Sequence, residues 1–276
     1  MRSFFIIHLS TLVILVFAGS CASSRGYQSK SALDYSKSAE MLYNNGVFAF
    51  EKERWADAEK IFLDVGRKYP YSKFAPLSEL RVADCHFNLG SHAEAAVEYQ
   101  HFLKTYPTHG QAPYAAFKKA EAYYEQIPGE WFLTPPAHEK DQTATRDARA
   151  ALASFIHKYS NSEYIPRARE LYVEVESALV RHEMYVARFY LSREKRKAAA
   201  VRLESIGRQF PGSPLVPDAM FLQAITLLEM DRRRDADNIF NLIIKLYPEN
   251  GQAYRAKQYL NALHLHAKRQ EAENGN

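Results

Sequence analysis

The chain has 276 residues, 47% of them hydrophobic and 25% charged, with a formal net charge of +4. That is an ordinary soluble composition, and so mild a positive balance does not by itself argue for a nucleic-acid partner. The length would hold one or two ordinary domains, a count that loses meaning if the chain is built of repeats.

In chain order, the first feature is an apolar run over residues 4–18 behind Arg2. It is too short for a comfortable membrane span and has the length of a signal-peptide core. Ala18-Gly19-Ser20-Cys21 follows directly. Small residues before a cysteine at this point resemble a bacterial lipobox, in which the cysteine is acylated and becomes the mature N-terminus. The leucine usual three places before the cysteine is replaced by Ala18. Ordinary signal cleavage at an Ala-x-Ala-like site is the alternative. Residues 1–20 are therefore expected to be a lipoprotein signal peptide, with Cys21 lipidated. Residues 21–34, rich in Ser with Gly and Gln, are expected to form a flexible tether. Each buried methylene of an acyl chain contributes roughly 0.8 kcal/mol, so a triacylated cysteine would anchor the protein stably.

From residue 36 onward one spacing recurs five times. A small residue (Gly46, Ala83, Ala120, Ala187, Ala224) is followed four positions on by a bulky one (Phe50, Phe87, Tyr124, Leu191, Leu228). In four copies an alanine stands twelve positions after the small residue, and Ala148 is its displaced counterpart in the third. Tyr69-Pro70, Tyr106-Pro107, Phe210-Pro211 and Tyr247-Pro248 close their units, with Tyr159-Ser160 as the degenerate third closure. A spacing of four puts small and bulky residues on one helix face, and proline cannot continue a helix. Each unit therefore predicts two antiparallel helices. The pairs fall at 36–50 with 54–69, 74–89 with 91–106, 111–126 with 143–159, 163–191 with 194–210, and 214–229 with 231–247. A last helix over 250–267 would cap them.

Gly46, Ala58, Phe62 and Pro70 stand at signature positions of the tetratricopeptide pattern, which the repeat resembles. That resemblance implies an all-α, right-handed superhelical solenoid of five helix pairs plus a C-terminal capping helix. A lone copy would say little, since alanine and aromatic residues at helical spacing are usually plain core.

Two copies depart from the period. Between Ala120 and Ala148 lie sixteen extra residues, including Ile127-Pro128-Gly129, Trp131, Phe132 and Pro135-Pro136. Before Ala187 no breaker follows Pro166, so the first helix of the fourth pair should run about 43 Å at 1.5 Å per residue. The expected organisation is repeats 1 and 2 with the first helix of repeat 3 over 35–126 and an insert over 127–142. The remaining repeats and cap occupy 143–267, and a tail 268–276.

Catalytic and metal-binding patterns are not evident. His264 and His266 are two apart and point away from each other on a helix, and His182-Glu183 lacks a second histidine at i+4. There is no Gly-rich phosphate loop and no Gly-x-Ser-x-Gly elbow. The expectation is a non-enzyme that needs no cofactor and no metal. Cys85, mid-helix beside Ala83 and Phe87, reads as a small buried hydrophobe. Basic clusters are the better lead: Arg193 to Lys197, extended by Arg202 and Arg208, and Arg232-Arg233-Arg234 at the corresponding turn of the next repeat. They predict a basic edge for an acidic protein partner or anionic head groups, or else a solvated turn.

Longer stretches are more specific. Asp141-Gln142-Thr143-Ala144-Thr145, the run from Val180 to Tyr190, and Ala198 through Glu204 to Phe210-Pro211-Gly212-Ser213 are among them. So is Tyr106-Pro107-Thr108-His109 with Ala112-Pro113-Tyr114. With the insert and the long fourth pair, they make the chain from Cys21 to about residue 265 resemble the BamD family. These are tetratricopeptide lipoproteins of the outer-membrane β-barrel assembly machine. The resemblance implies a lipid-anchored protein on the periplasmic face of the outer membrane. It further implies a POTRA domain of a BamA-like barrel-assembly protein, other assembly lipoproteins and unfolded outer-membrane proteins as partners. Mapped onto this chain, Arg188, Arg193, Arg196 and Arg202 would face the BamA-like partner. Tyr43, Phe50, Tyr71 and Phe87 would receive the C-terminal segment of an unfolded substrate. A pilotin-like or peptidoglycan-associated tetratricopeptide lipoprotein, acting as a periplasmic adaptor, is the alternative.

Overall fold

A computed structural model describes the chain over residues 25–129 and 135–274, with side chains over 31–129 and 135–263 and at 265. Cys21, Trp131 and Phe132 lie outside the described residues. All regular structure within them is helical: α1 (Arg25–Glu51), α2 (Trp55–Lys68), α3 (Phe74–Asn88), α4 (His92–Thr105), α5 (Ala112–Tyr124) and α6 (Thr143–Lys158). Then follow α7 (Ile165–Ser192), α8 (Arg196–Gln209), α9 (Val216–Glu229), α10 (Arg233–Leu246) and α11 (Gly251–Asn274). These bounds sit within two residues of the sequence-based expectation except at the start of α1 and the end of α11. α1 begins at Arg25, inside the segment read as a tether. The 28 residues of α7 span about 42 Å.

The helices form two compact units that part between Ser91 and His92, so residue 126 falls inside the second. In the first, α1 packs on α2, α2 on α3, and α1 on α3. In the second, each helix from α4 to α11 packs on the next, while α5 touches α7, α7 touches α9, and α9 touches α11. Alternate helices in contact are what stacked tetratricopeptide-like hairpins produce, because the first helix of each pair lines one face.

The repeat closes each turn by the same hydrogen bonds. Between the two helices of a pair, Glu53 donates to the Phe50 carbonyl and Arg54 to the Ala49 carbonyl. Gly90 and Ser91, Glu194 and Lys195, and Asp231 and Arg232 repeat that pattern on Phe87 and His86, Leu191 and Tyr190, and Leu228 and Leu227. This paired closure needs a left-handed residue at its first position. Gly90 supplies it at φ 80°, but Glu53 (57°), Glu194 (59°) and Asp231 (56°) adopt it despite carrying a Cβ. At the far end of each pair Tyr69, Tyr106, Tyr159, Phe210 and Tyr247 donate to Val65, Phe102, Phe155, Ile206 and Ile243. Tyr159, whose following proline is missing, closes its helix as the others do.

The small positions are where the core is tightest. Ala83, Ala120, Ala187 and Ala224 are fully buried, as are Ala58, Ala95, Ala148, Ala199 and Ala236. Of the bulky residues, Phe62, Tyr99, Leu152, Leu203 and Phe240 in the second helices are buried, while Phe50, Phe87, Tyr124, Leu191 and Leu228 in the first are only half-buried. Burying each large apolar side chain fully contributes roughly 1.5–3 kcal/mol.

One polar tie secures the second unit. Glu176 on α7, 0% exposed, accepts from Arg149 Nε (3.1 Å) and Nη2 (2.8 Å) of α6 and from the Gly212 backbone N–H (3.1 Å). Arg149 Nη2 also reaches the Gln209 carbonyl at 2.6 Å, and its guanidinium stacks 5.1 Å from the Phe210 ring. The closing loop of the fourth pair is thereby fixed to the third.

Candidate binding surfaces

In the first unit the four aromatic residues expected to receive a peptide have different environments. Tyr43 is half-buried and packs 5.5 Å from Phe62 and 5.2 Å from Phe74. Phe50 shares that apolar cluster, edge-on to Trp55 at 4.5 Å with the Arg81 guanidinium 5.5 Å from its ring. Phe87, near the end of α3, is also half-buried. Only Tyr71 stands out: it is 95% exposed in the α2–α3 loop, its backbone N–H 3.4 Å from the Tyr35 hydroxyl. Sequence spacing did not single out Met41 and Phe48, which α1 leaves 66% and 59% exposed.

The basic residues of the second unit also separate. Arg193 caps α7 and lies 5.5 Å from the ring of Phe189, itself half exposed. Arg196 pairs with Glu229 at 3.1 Å and Arg202 with Glu183 at 3.0 Å. At the next turn Arg232 pairs with Asp235 and Arg233 with Asp231. Much of the basic edge is therefore neutralised within the chain, which spacing alone could not show because Glu183 and Glu229 come from other helices. Tyr190, Lys197, Val201 and Arg202 surround a shallow cavity of about 460 Å³ on α8, with Val201 65% exposed. The result is an apolar patch with a cationic rim.

Arg188 belongs elsewhere. With Arg181 it lines a groove of about 650 Å³ between α7, α9 and α11, floored by Phe221, Leu222 and Ile225. The insert supplies one wall through His138, whose ring meets Tyr185 edge-on at 5.3 Å. His182 Nδ1–H donates to the His138 carbonyl at 2.7 Å, so the 3₁₀ turn Ala137–Glu139 is held against α7. Gln142, 4% exposed, secures its other end by donating to the Ala137 and Lys140 carbonyls, both at 2.9 Å. Tyr124 on α5 donates to Glu174 at 2.6 Å, and that bond raises its hydroxyl pKa to about 12.

Among the described residues no group of three or more His, Cys, Asp or Glu is arranged to hold a metal. Cys85 is fully buried, and loss of hydration, with Asp84 adjacent, pushes its thiol up to about 12. It is not poised as a nucleophile. No described helix is long and apolar enough to cross a membrane.

Residues 35–242 match the family model YfiO, described as outer membrane lipoprotein. A relative in Caulobacter vibrioides, named outer membrane protein assembly factor BamD, is 31% identical over 212 residues, covering 76% of this chain and 67% of its own. Proteins of the same name in Xylella fastidiosa strain Temecula1 (26% identical, 84% of this chain and 79% of that one) and Neisseria meningitidis serogroup B (22%, 88% and 91%) are also similar.

Proposed function

The chain belongs to the YfiO family of outer membrane lipoproteins, with relatives named BamD, and on that premise we propose that it is a non-catalytic scaffold for outer-membrane protein assembly. It docks the periplasmic POTRA region of a BamA-like barrel-assembly protein through α8 and the turn before it. The α8 patch carries this reading: exposed Val201 provides apolar area bordered by Lys197 and Arg202, and half-exposed Phe189, with Arg193 over its ring, closes the preceding helix. An apolar centre with a charged rim suits a regulated protein contact, in which rim charge sets the on-rate and its salt dependence. Arg196 and Arg202 already have carboxylate partners, so they would exchange or share them on docking.

Unfolded outer-membrane proteins would be received by the first unit, where Tyr71 and the half-buried rings of Tyr43, Phe50 and Phe87 offer aromatic surface to an extended segment. Lipid at Cys21 would hold the protein on the periplasmic face of the outer membrane, beside other assembly lipoproteins.

The test is binding of a purified POTRA-domain fragment of the barrel-assembly protein to the wild-type chain and to Arg193→Glu/Arg196→Glu. At low salt the double variant should bind at least tenfold more weakly, with the difference shrinking as salt rises. Equal affinity at low salt would overturn the α8 assignment. Recovery of only secretins or cell-wall hydrolases from outer-membrane extract would overturn the assembly role. For the anchor, Cys21→Ser should release the protein into the soluble periplasm of cells in which the barrel partner is depleted. Retention there would count against lipidation.

A further inference from the structure

We propose that the groove between α7, α9 and α11 is a second recognition site, built for an acidic, apolar segment of a partner protein. This reading is independent of docking on α8.

The floor is apolar and fixed. Phe221 is 5% exposed and edge-on to Tyr259 at 5.5 Å, and Leu222 and Ile225 continue it along α9. A floor anchored by a buried ring needs little reordering to accept an apolar side chain, which keeps the entropic cost of binding low.

The walls are cationic. Arg181 and Arg188 lie seven residues apart on α7, so about 10 Å separates them along the helix axis. Both are exposed, and among the described residues neither has a carboxylate within ion-pairing distance, in contrast to Arg196 and Arg202. On the opposite wall Arg255 is laid flat over Phe221, 4.2 Å from the ring centroid, and donates to Gln252 Oε1 at 3.1 Å. A guanidinium stacked in this way keeps further N–H groups turned outward for a carboxylate. The acid of the groove, Asp218, already accepts from Gln252 Nε2 at 2.6 Å.

Three guanidinium groups on two walls decide between ligand sources. A single terminal carboxylate can satisfy one of them, whereas an internal segment with two Asp or Glu side chains about 10 Å apart can meet both arginines of α7, and a further acid the Arg255 wall. That spacing corresponds to about three residues of extended chain or two turns of helix. Apolar residues between the acids would face the half-buried Leu222 and Ile225.

The experiment uses the purified full chain carrying Cys21→Ser and fluorescein-labelled fourteen-residue peptides, read by anisotropy at low and high salt. One peptide interleaves Glu with Leu and Phe. Its controls replace Glu by Lys, or replace Leu and Phe by Ser. The Glu–Leu/Phe peptide should bind at least tenfold more tightly than either control. Arg181→Glu/Arg188→Glu should lose at least tenfold, Arg181→Gln/Arg188→Gln a smaller factor, and Arg67→Glu, at an exposed arginine of the first unit, nothing. Amidating the peptide's C-terminus should leave affinity unchanged. Equal binding by the Lys peptide, insensitivity to the Arg181/Arg188 changes, or loss on amidation would each overturn the proposal. So would phosphatidylglycerol vesicles that bind through Arg181 and Arg188 while the peptide does not.

Discussion

Gly46 on α1 lies directly beneath Phe62 on α2: a methyl group added to Gly46 would stand 2.6 Å from Phe62 Cε1 and 2.9 Å from Cδ1. The other four repeats carry alanine at this position, and each is fully buried. The first repeat thus replaces a methyl group with a closer aromatic ring. Phe62 is fully buried against Tyr43 and cannot swing aside.

Gly46→Ala should therefore destabilise the first unit although alanine is the better helix former. The propensity gain is about 1 kcal/mol, and overpacking a filled core costs about 1–3 kcal/mol. Urea unfolding followed on the first unit should show a lower midpoint, and Gly46→Ala/Phe62→Leu should recover part of it. A higher midpoint for Gly46→Ala alone would mean that the ring yields.

The left-handed turn residues give the opposite expectation. Glu53 is exposed at φ 57° in the position that Gly90 fills in the second repeat. A non-glycine residue in this region costs about 1 kcal/mol. Glu53→Gly should therefore stabilise by about 0.5–1 kcal/mol, whereas Glu40→Gly, at an exposed position in the middle of α1, should cost a similar amount. Equal effects at the two sites would show that the turn stores no strain.

These two relationships mark what could be read from the chain. The helix pairs and their stops were legible because Ala at a fixed spacing and an aromatic before proline act locally, through packing and through a missing N–H. The equivalence of Glu53, Gly90, Glu194 and Asp231 was hidden, since three of the four are residues that usually avoid a positive φ. At the binding surfaces, spacing located the basic turn but not its neutralisation, because Glu183 and Glu229 arrive from different helices. The family resemblance grouped Arg188 with that turn, yet α7 sets it along the groove with Arg181. The aromatic residues show the same limit: Tyr43 and Tyr71 look alike in sequence, and only the fold half-buries one and leaves the other almost fully exposed.

The Arg149–Glu176 tie should respond asymmetrically to truncation. Arg149→Met leaves a carboxylate buried on α7 without its cation, held by the Gly212 N–H and the Tyr172 hydroxyl, and should cost about 3 kcal/mol. Glu176→Gln keeps the shape and leaves a guanidinium that is one-third exposed and can turn to water, so it should cost less. Chemical denaturation of the two single variants measures the difference. An Arg149→Met variant no less stable than Glu176→Gln would show that Glu176 does not need its partner.

Cys85 offers a readout of packing in the first unit. Its thiol is fully buried and raised from 9.0 to about 12, chiefly by loss of hydration, so at pH 8 the folded chain holds almost no thiolate. In a Cys21→Ser background, where Cys85 is the remaining cysteine, a thiol reagent such as dithionitrobenzoate should react at least a hundredfold more slowly with the native protein than with the urea-unfolded one. The sign of the pH effect follows from the same shift. Because the folded pKa lies above the unfolded one, the unfolded chain loses its proton first, and this group's stabilising contribution is intact below about pH 9. It then declines as pH rises toward 12. Cys85→Ala should remove that part of the alkaline destabilisation, and an unchanged difference between pH 8 and pH 11 in the variant would show that the thiol does not contribute to it.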